Sequence, residues 1–156
     1  MFRHILVATD LTSISRAALQ RADQLARDER ATLDVLHVVK DPATQPWAVG
    51  AIGVDLGRMR AEATGKGRRA LSAATRRLPP ATRRMTIDTK VGMPAEEILR
   101  YARHHAIDLI VLGTHGRGRV ASAFLGSVAE QVLGHAKCPV MIVRPGSTRR
   151  PGAAAA

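Results

Sequence analysis

The sequence is short of cysteine, of aromatic rings and of acidic groups, and each shortage excludes something. Cys138 is the only cysteine in 156 residues, so no internal disulfide forms and no zinc cage of several thiolates can be built. That suits a reducing compartment, and a cytoplasmic location is expected. Two Phe, one Tyr and one Trp are too few for a platform on which bases stack. No apolar run approaches the ~20 residues that span a bilayer. The opening Met1-Phe2-Arg3-His4 leads into a short strand-like run without a leader's long apolar region. No membrane association is expected. Also missing is the phosphate loop G-x-x-x-x-G-K-[ST], for which Gly65-Lys66-Gly67 is a poor stand-in because it lies inside a helical pattern. No G-x-G-x-x-G follows the first strand, which argues against a dinucleotide dehydrogenase.

What the chain has in excess is positive charge. Twenty-four Lys and Arg stand against thirteen Asp and Glu, a formal +11, and the only lysines are Lys40, Lys66, Lys90 and Lys137. With 46% hydrophobic residues this charge rides on a folded body rather than on a disordered basic tail. Residues 58–84 hold nine basic residues against one acid, Glu62. Such a stripe attracts the phosphates of nucleic acid, anionic lipid or a small ligand. A solvated helix face is the plainer reading, so nucleic acid is kept as an alternative partner and is not favoured.

Hydrophobic periodicity gives the order of elements. Residues 4–8 are an Ile, Leu and Val run closed by Thr9-Asp10, which reads as a strand buried on both faces. Thr12 and Ser13 are helix-cap candidates, followed by Ile14, Ala18, Ala22, Leu25 and Ala26 at helical spacing. Residues 33–39 form a second strand, 41–57 an irregular Pro- and Gly-rich loop, and Leu56 to Leu78 a long helix that Gly65 and Gly67 weaken. A third strand is predicted at 85–91, a helix from Pro94 to about His105, a strand at 107–112, a helix at 122–136 and a last strand at 139–143. Strands separated by helices imply a single α/β domain with a parallel sheet and helices on both faces. The expected strand order is 3-2-1-4-5, which puts the chain reversal, and hence a ligand crevice, between strands one and four. The domain is expected to occupy 1–145, with 146–156 as a flexible tail.

The chemistry-bearing motif follows strand four. Gly113, Gly116, Gly126 and Ser127 form G-x2-G-x9-G-S, running from a strand end into a helix start. Glycines there let the backbone approach an anion, and the amides of a helix N-terminus point at phosphate oxygens. Ser127 with Glu130 also fits a capping box, which would account for both residues structurally. Arg117 and Arg119 lie in the nine-residue spacer, where a guanidinium reaches phosphate or faces solvent, and His115 is a further loop candidate.

On these residues, together with Thr9-Asp10, His37-Val38, Gly92-Met93-Pro94, the stretch from Asp108 to Gly113 and Cys138-Pro-Val-Met-Ile-Val143, the chain resembles the universal stress protein family, specifically its ATP-binding branch. The resemblance covers nearly the whole chain. It implies a five-stranded Rossmann-like domain, a homodimer and ATP as ligand. By position it implies that Ala8 and Asp10 lie near the nucleoside and that Val38 offers backbone groups to the adenine edge. Leu112 would then line the base pocket, and Gly113, Gly116, Gly126, Ser127 and Val128 would surround ribose and phosphates. Some members carry proline where this chain has Ala8. Mg²⁺ would be held mainly by the triphosphate and water, since that hard ion keeps its waters.

Neither a positioned nucleophile nor a concentration of charge for the γ-phosphate can be named, so no catalytic residue is assigned. The expected function is a nucleotide-dependent regulatory or stress-survival factor that hydrolyses ATP slowly at most. An enzyme that adenylates or cleaves ATP in the same crevice is the alternative. The last strand, at a sheet edge, is expected to pair with its two-fold mate.

Overall fold

The computed structural model describes residues 1–48, 53–78, 84–114 and 125–145. Five strands, β1 (His4–Ala8), β2 (Thr32–Val39), β3 (Met85–Val91), β4 (Leu109–Gly113) and β5 (Val140–Val143), alternate with α1 (Ser13–Glu29), α2 (Leu56–Thr75), α3 (Pro94–His104) and α4 (Ser127–His135). All strand pairs are parallel, in the order β3-β2-β1-β4-β5. This is the expected sheet. β1 is central because every residue from Ile5 to Val7 is apolar and none is exposed, so both of its faces need a cover. Ile5 and Val7 join the layer that packs under α1 and Leu71 of α2, while Leu6 and Ala8 join the layer under α3 and α4.

Local chemistry sets the helix ends. Thr12 caps α1, its hydroxyl accepting from the Ser15 amide at 3.4 Å, and Arg30 closes it at φ 57° with its amide on the Ala26 and Arg27 carbonyls. α3 starts on Pro94 with Glu96 and Glu97 in its first turn and ends with Arg103 and His104, each charge placed to complement the helix dipole. Asp34, buried in mid-sheet, accepts from the Tyr101 hydroxyl at 3.1 Å and contacts His4 Nε2 at 3.0 Å.

Three local expectations need correction. The helix predicted from 122 begins at Ser127; Leu125 and Gly126 are not helical, and 122–124 lie outside the described residues. The capping box at Ser127 is not formed, because Gly126 at φ 85° is itself the cap and Ser127 is already the first helical residue. The loop at 41–57 contains two single-turn 3-10 helices, Pro42–Thr44 and Pro46–Ala48. Gly67 also does more than weaken α2. A Cβ there would sit 3.0 Å from Val39 Cγ2 and 3.1 Å from His37 and Thr89, so the bare backbone seats α2 against β2 and β3. The tail at 146–156 lies outside the described residues.

Candidate functional site

At the carboxyl ends of β1 and β4 the chain turns to opposite faces of the sheet, and a groove of about 250 Å³ opens there. Its apolar wall is made by Ala8, Val38, Leu112 and Val128, with Ile14, Ile98 and Leu125 behind them. Its polar residues are Thr9, Asp10, Ser15 and Ser127, joined by Gly113 and Gly126. Eight of the nine expected binding residues therefore line one cleft. The ninth, Gly116, lies outside the described residues, as do His115, Arg117 and Arg119.

The β1–α1 turn holds Asp10 at the rim. Asp10 Oδ1 accepts from the Thr12 amide at 3.0 Å and the Thr12 hydroxyl at 2.6 Å. Burial pushes the carboxyl's pKa up, but hydrogen bonds from Thr12 and Ser15 outweigh it, and the net value lies below the usual carboxylate range. Asp10 thus stays ionised at neutral pH. Leu11, at φ 65°, takes the left-handed conformation that this tight turn requires. Its amide donates to Thr9 Oγ1 at 3.0 Å, and the Thr9 hydroxyl lies 2.8 Å from that of Ser15. His37 Nδ1 donates to the Thr9 carbonyl at 2.8 Å, tying the tip of β2 to the tip of β1.

Val38 contributes side chain and backbone alike. The Leu36 carbonyl accepts from Thr9 on the β1 side, and the Val39 carbonyl accepts from Gly92 on the β3 side. Alternation along the strand points the Val38 amide and carbonyl to the β1 side, beyond the last β1–β2 pair at Ala8 and Leu36. No group among the described residues pairs with them there.

The opposite wall is the start of α4. Gly126 brings no side-chain cap, and among the described residues nothing accepts from the amides of Ser127, Val128 or Ala129. The Thr114 hydroxyl donates to the Leu125 carbonyl at 3.0 Å while its amide bonds to Val143, which fixes where the chain re-enters α4. Gly113 is small for a packing reason: a Cβ there would meet Ser15 Cα at 3.1 Å and the Ile14 carbonyl at 3.2 Å. Thr9, His37 and Thr114 were not singled out as site residues from the sequence. The signal was their place beside Asp10, Val38 and Gly113, but each acts through a partner far along the chain or in another loop.

The groove thus offers one ionised acceptor, one unpaired backbone donor and acceptor, and a helix N-terminus suited to an anion. No group of three or more His, Cys, Asp or Glu able to hold a metal occurs among the described residues. Among the described residues Asp10 is the only carboxylate lining the groove.

The universal stress protein family model matches residues 1–144. A universal stress protein of Thermus aquaticus is 35% identical over 147 residues, covering 92% of this chain and all of that protein. The crystal structure of a universal stress family protein from Burkholderia pseudomallei superposes with a TM-score of 0.70 at 30% identity, covering 92% of this chain and 96% of that one. A universal stress protein solved in complex with cAMP superposes at 0.57 with 25% identity, covering 92% of this chain and 97% of that one.

Proposed function

The chain belongs to the universal stress protein family, and from that premise we propose that its groove binds ATP and that occupancy regulates the protein. The observation that carries this reading is the unpaired amide and carbonyl of Val38 facing the crevice. An amide that donates and a carbonyl that accepts match the N1 and N6 edge of adenine. Guanine presents the opposite pattern. The ribose then lies near Asp10, both of whose Thr12 bonds fall on Oδ1, and the phosphates meet the uncapped start of α4 and Gly126. Ala8, Leu112 and Val128 enclose the base, and Gly113, Ser127 and the spacer residue Gly116 border ribose and phosphates. The cAMP held by a relative supports an adenine nucleotide in this cleft.

Mg²⁺ would enter with the triphosphate, with Asp10 the only groove carboxylate near enough to assist through water. No catalytic residue is assigned, and the role read for the groove is regulation, with slow hydrolysis at most. For regulation, ATP must bind two states of the protein with different affinity. β5 ends the sheet with only β4 as neighbour, and its free edge supports a homodimer through residues 139–143. No helix among the described residues is long and apolar enough to cross a membrane, and a cytoplasmic site of action fits the single free cysteine.

Calorimetric titration tests the reading. ATP should bind and GTP should bind at least ~10-fold more weakly, because guanine would leave the Val38 groups unpaired. Gly126→Val should abolish binding while circular dichroism still reports a folded domain. Equal affinity for the two nucleotides, or unchanged ATP affinity in the variant, would count against it.

A further inference from the structure

None of the basic residues of α2 lines the groove, and the structure shows how they are arranged. α2 runs antiparallel to the strands, so its first turns lie near the groove end of the sheet and its last turns at the opposite end. Near the groove end the cations are matched: Arg60 forks onto Asp41 at 2.9 and 2.7 Å, and Arg58 pairs with Glu62 at 3.0 Å. Beyond Glu62 they are not. Lys66, Arg68, Arg69, Arg77 and Arg84 are exposed with no acidic partner among the described residues, and Arg76 reaches only the Ser72 hydroxyl at 3.3 Å. The segments outside the described residues contain no Asp or Glu, so no acid from them neutralises this face. Gly67, Leu71 and Thr75 are the buried side of the helix. At 3.6 residues per turn Arg69 and the C-cap Arg76 stand on the opposite side, two turns or about 10 Å apart, with Lys66 beside them and Arg77 just past the helix end.

We propose that this outer face of α2 binds the phosphate backbone of double-stranded nucleic acid without reading its sequence. Guanidinium groups predominate in the stripe, and they fork onto phosphate oxygens. α2 carries no aromatic residue, so it offers no stacking surface for the bases of a single strand. None of the exposed large hydrophobic residues lies on α2, so it lacks the apolar wedge by which a basic helix enters a membrane. A regular array of phosphates on a stiff scaffold is the partner left by these features.

The test is fluorescence anisotropy with a labelled duplex of mixed sequence, about 20 base pairs long, over a salt series. Wild type should bind, with log affinity falling linearly in log salt. Replacing Arg69 and Arg76 by Gln should weaken binding at least 10-fold and reduce that slope by about 2. Arg103→Gln with Lys137→Gln removes the same charge from exposed positions on the α3–α4 side and should change affinity less than 2-fold. Saturating ATP should not displace the duplex, which separates this surface from the groove. The proposal fails if there is no binding at low salt, if both double variants lose equal affinity, or if ATP competes. It also fails if a single strand of equal phosphate number, or vesicles containing phosphatidylglycerol, bind more tightly than the duplex.

Discussion

At the residue scale the groove depends on short polar side chains that hold the backbone in place. Asp10 serves the turn through one oxygen, on which both Thr12 bonds fall. Since its folded pKa is depressed, the stability it contributes is present above its ordinary value of 3.8 and is lost as pH falls through the lower folded value. Thr12→Ala removes the hydroxyl that donates to Asp10 and caps α1. It should destabilise the domain by about 1 kcal/mol. NMR titration of the Asp10 carboxyl in this variant should show its pKa move upward toward the ordinary value; an unmoved value would mean the Thr12 hydroxyl is not what holds it down. Cys138 is perturbed in the opposite sense, its thiol pushed up first by burial and then by Asp108. Alkylation by iodoacetamide at neutral pH, followed by mass spectrometry, should therefore be slower than for a free thiol.

At the scale of elements, the two glycines of α2 look alike in sequence and act differently in the fold. Gly67 lies against Val39, His37 and Thr89, so Gly67→Val should crowd the helix off the sheet and cost about 1–3 kcal/mol. At Gly65 an added Cβ makes only an ordinary 3.5 Å contact with the Arg69 side chain. Gly65→Ala should therefore stabilise by about 0.4–1 kcal/mol, through the entropy of the unfolded chain and better helix propensity. Urea denaturation of the pair measures both signs, and effects of the same sign would contradict the packing difference. α4 shows a similar limit of local reading. Ser127 and Glu130 have the spacing of a capping box, yet Gly126 takes the cap position because the Thr114 hydroxyl holds the Leu125 carbonyl just before it. The pattern was visible, but the competing hydrogen bond across eleven residues was not.

At the scale of the whole molecule, the groove is built from β1, β2, β4 and α4, so a ligand bound there would stabilise the whole fold. If ATP binds only the native state, about 100 times its Kd adds about 2.7 kcal/mol. Thermal unfolding should then shift upward with ATP concentration and shift little with GTP at the same concentrations. A midpoint insensitive to ATP would remove the linkage that a nucleotide-regulated protein needs. Light scattering at the same protein concentrations should give about twice the 16.7 kDa protomer mass if the β5 edge is paired.

The alternation of strands and helices, the order β3-β2-β1-β4-β5 and the position of the groove were legible in the chain, because periodicity, crossover handedness and the switch-point rule act on patterns that a single chain displays. The sequence also put Asp10 at the crevice by the switch-point rule and Gly126 at a helix start by its motif, whereas Val38 came only from the resemblance to the family. It took the folded chain to show that the Val38 backbone is unpaired, that His37 ties to Thr9, that Thr114 sets the entry into α4 and that Gly67 is a seat for packing. The fold also decided which arginines of α2 are neutralised, through the Arg60–Asp41 pair across nineteen residues. These are contacts between distant segments or separate loops, set by strand register and helix placement, and no local pattern in the chain encodes them.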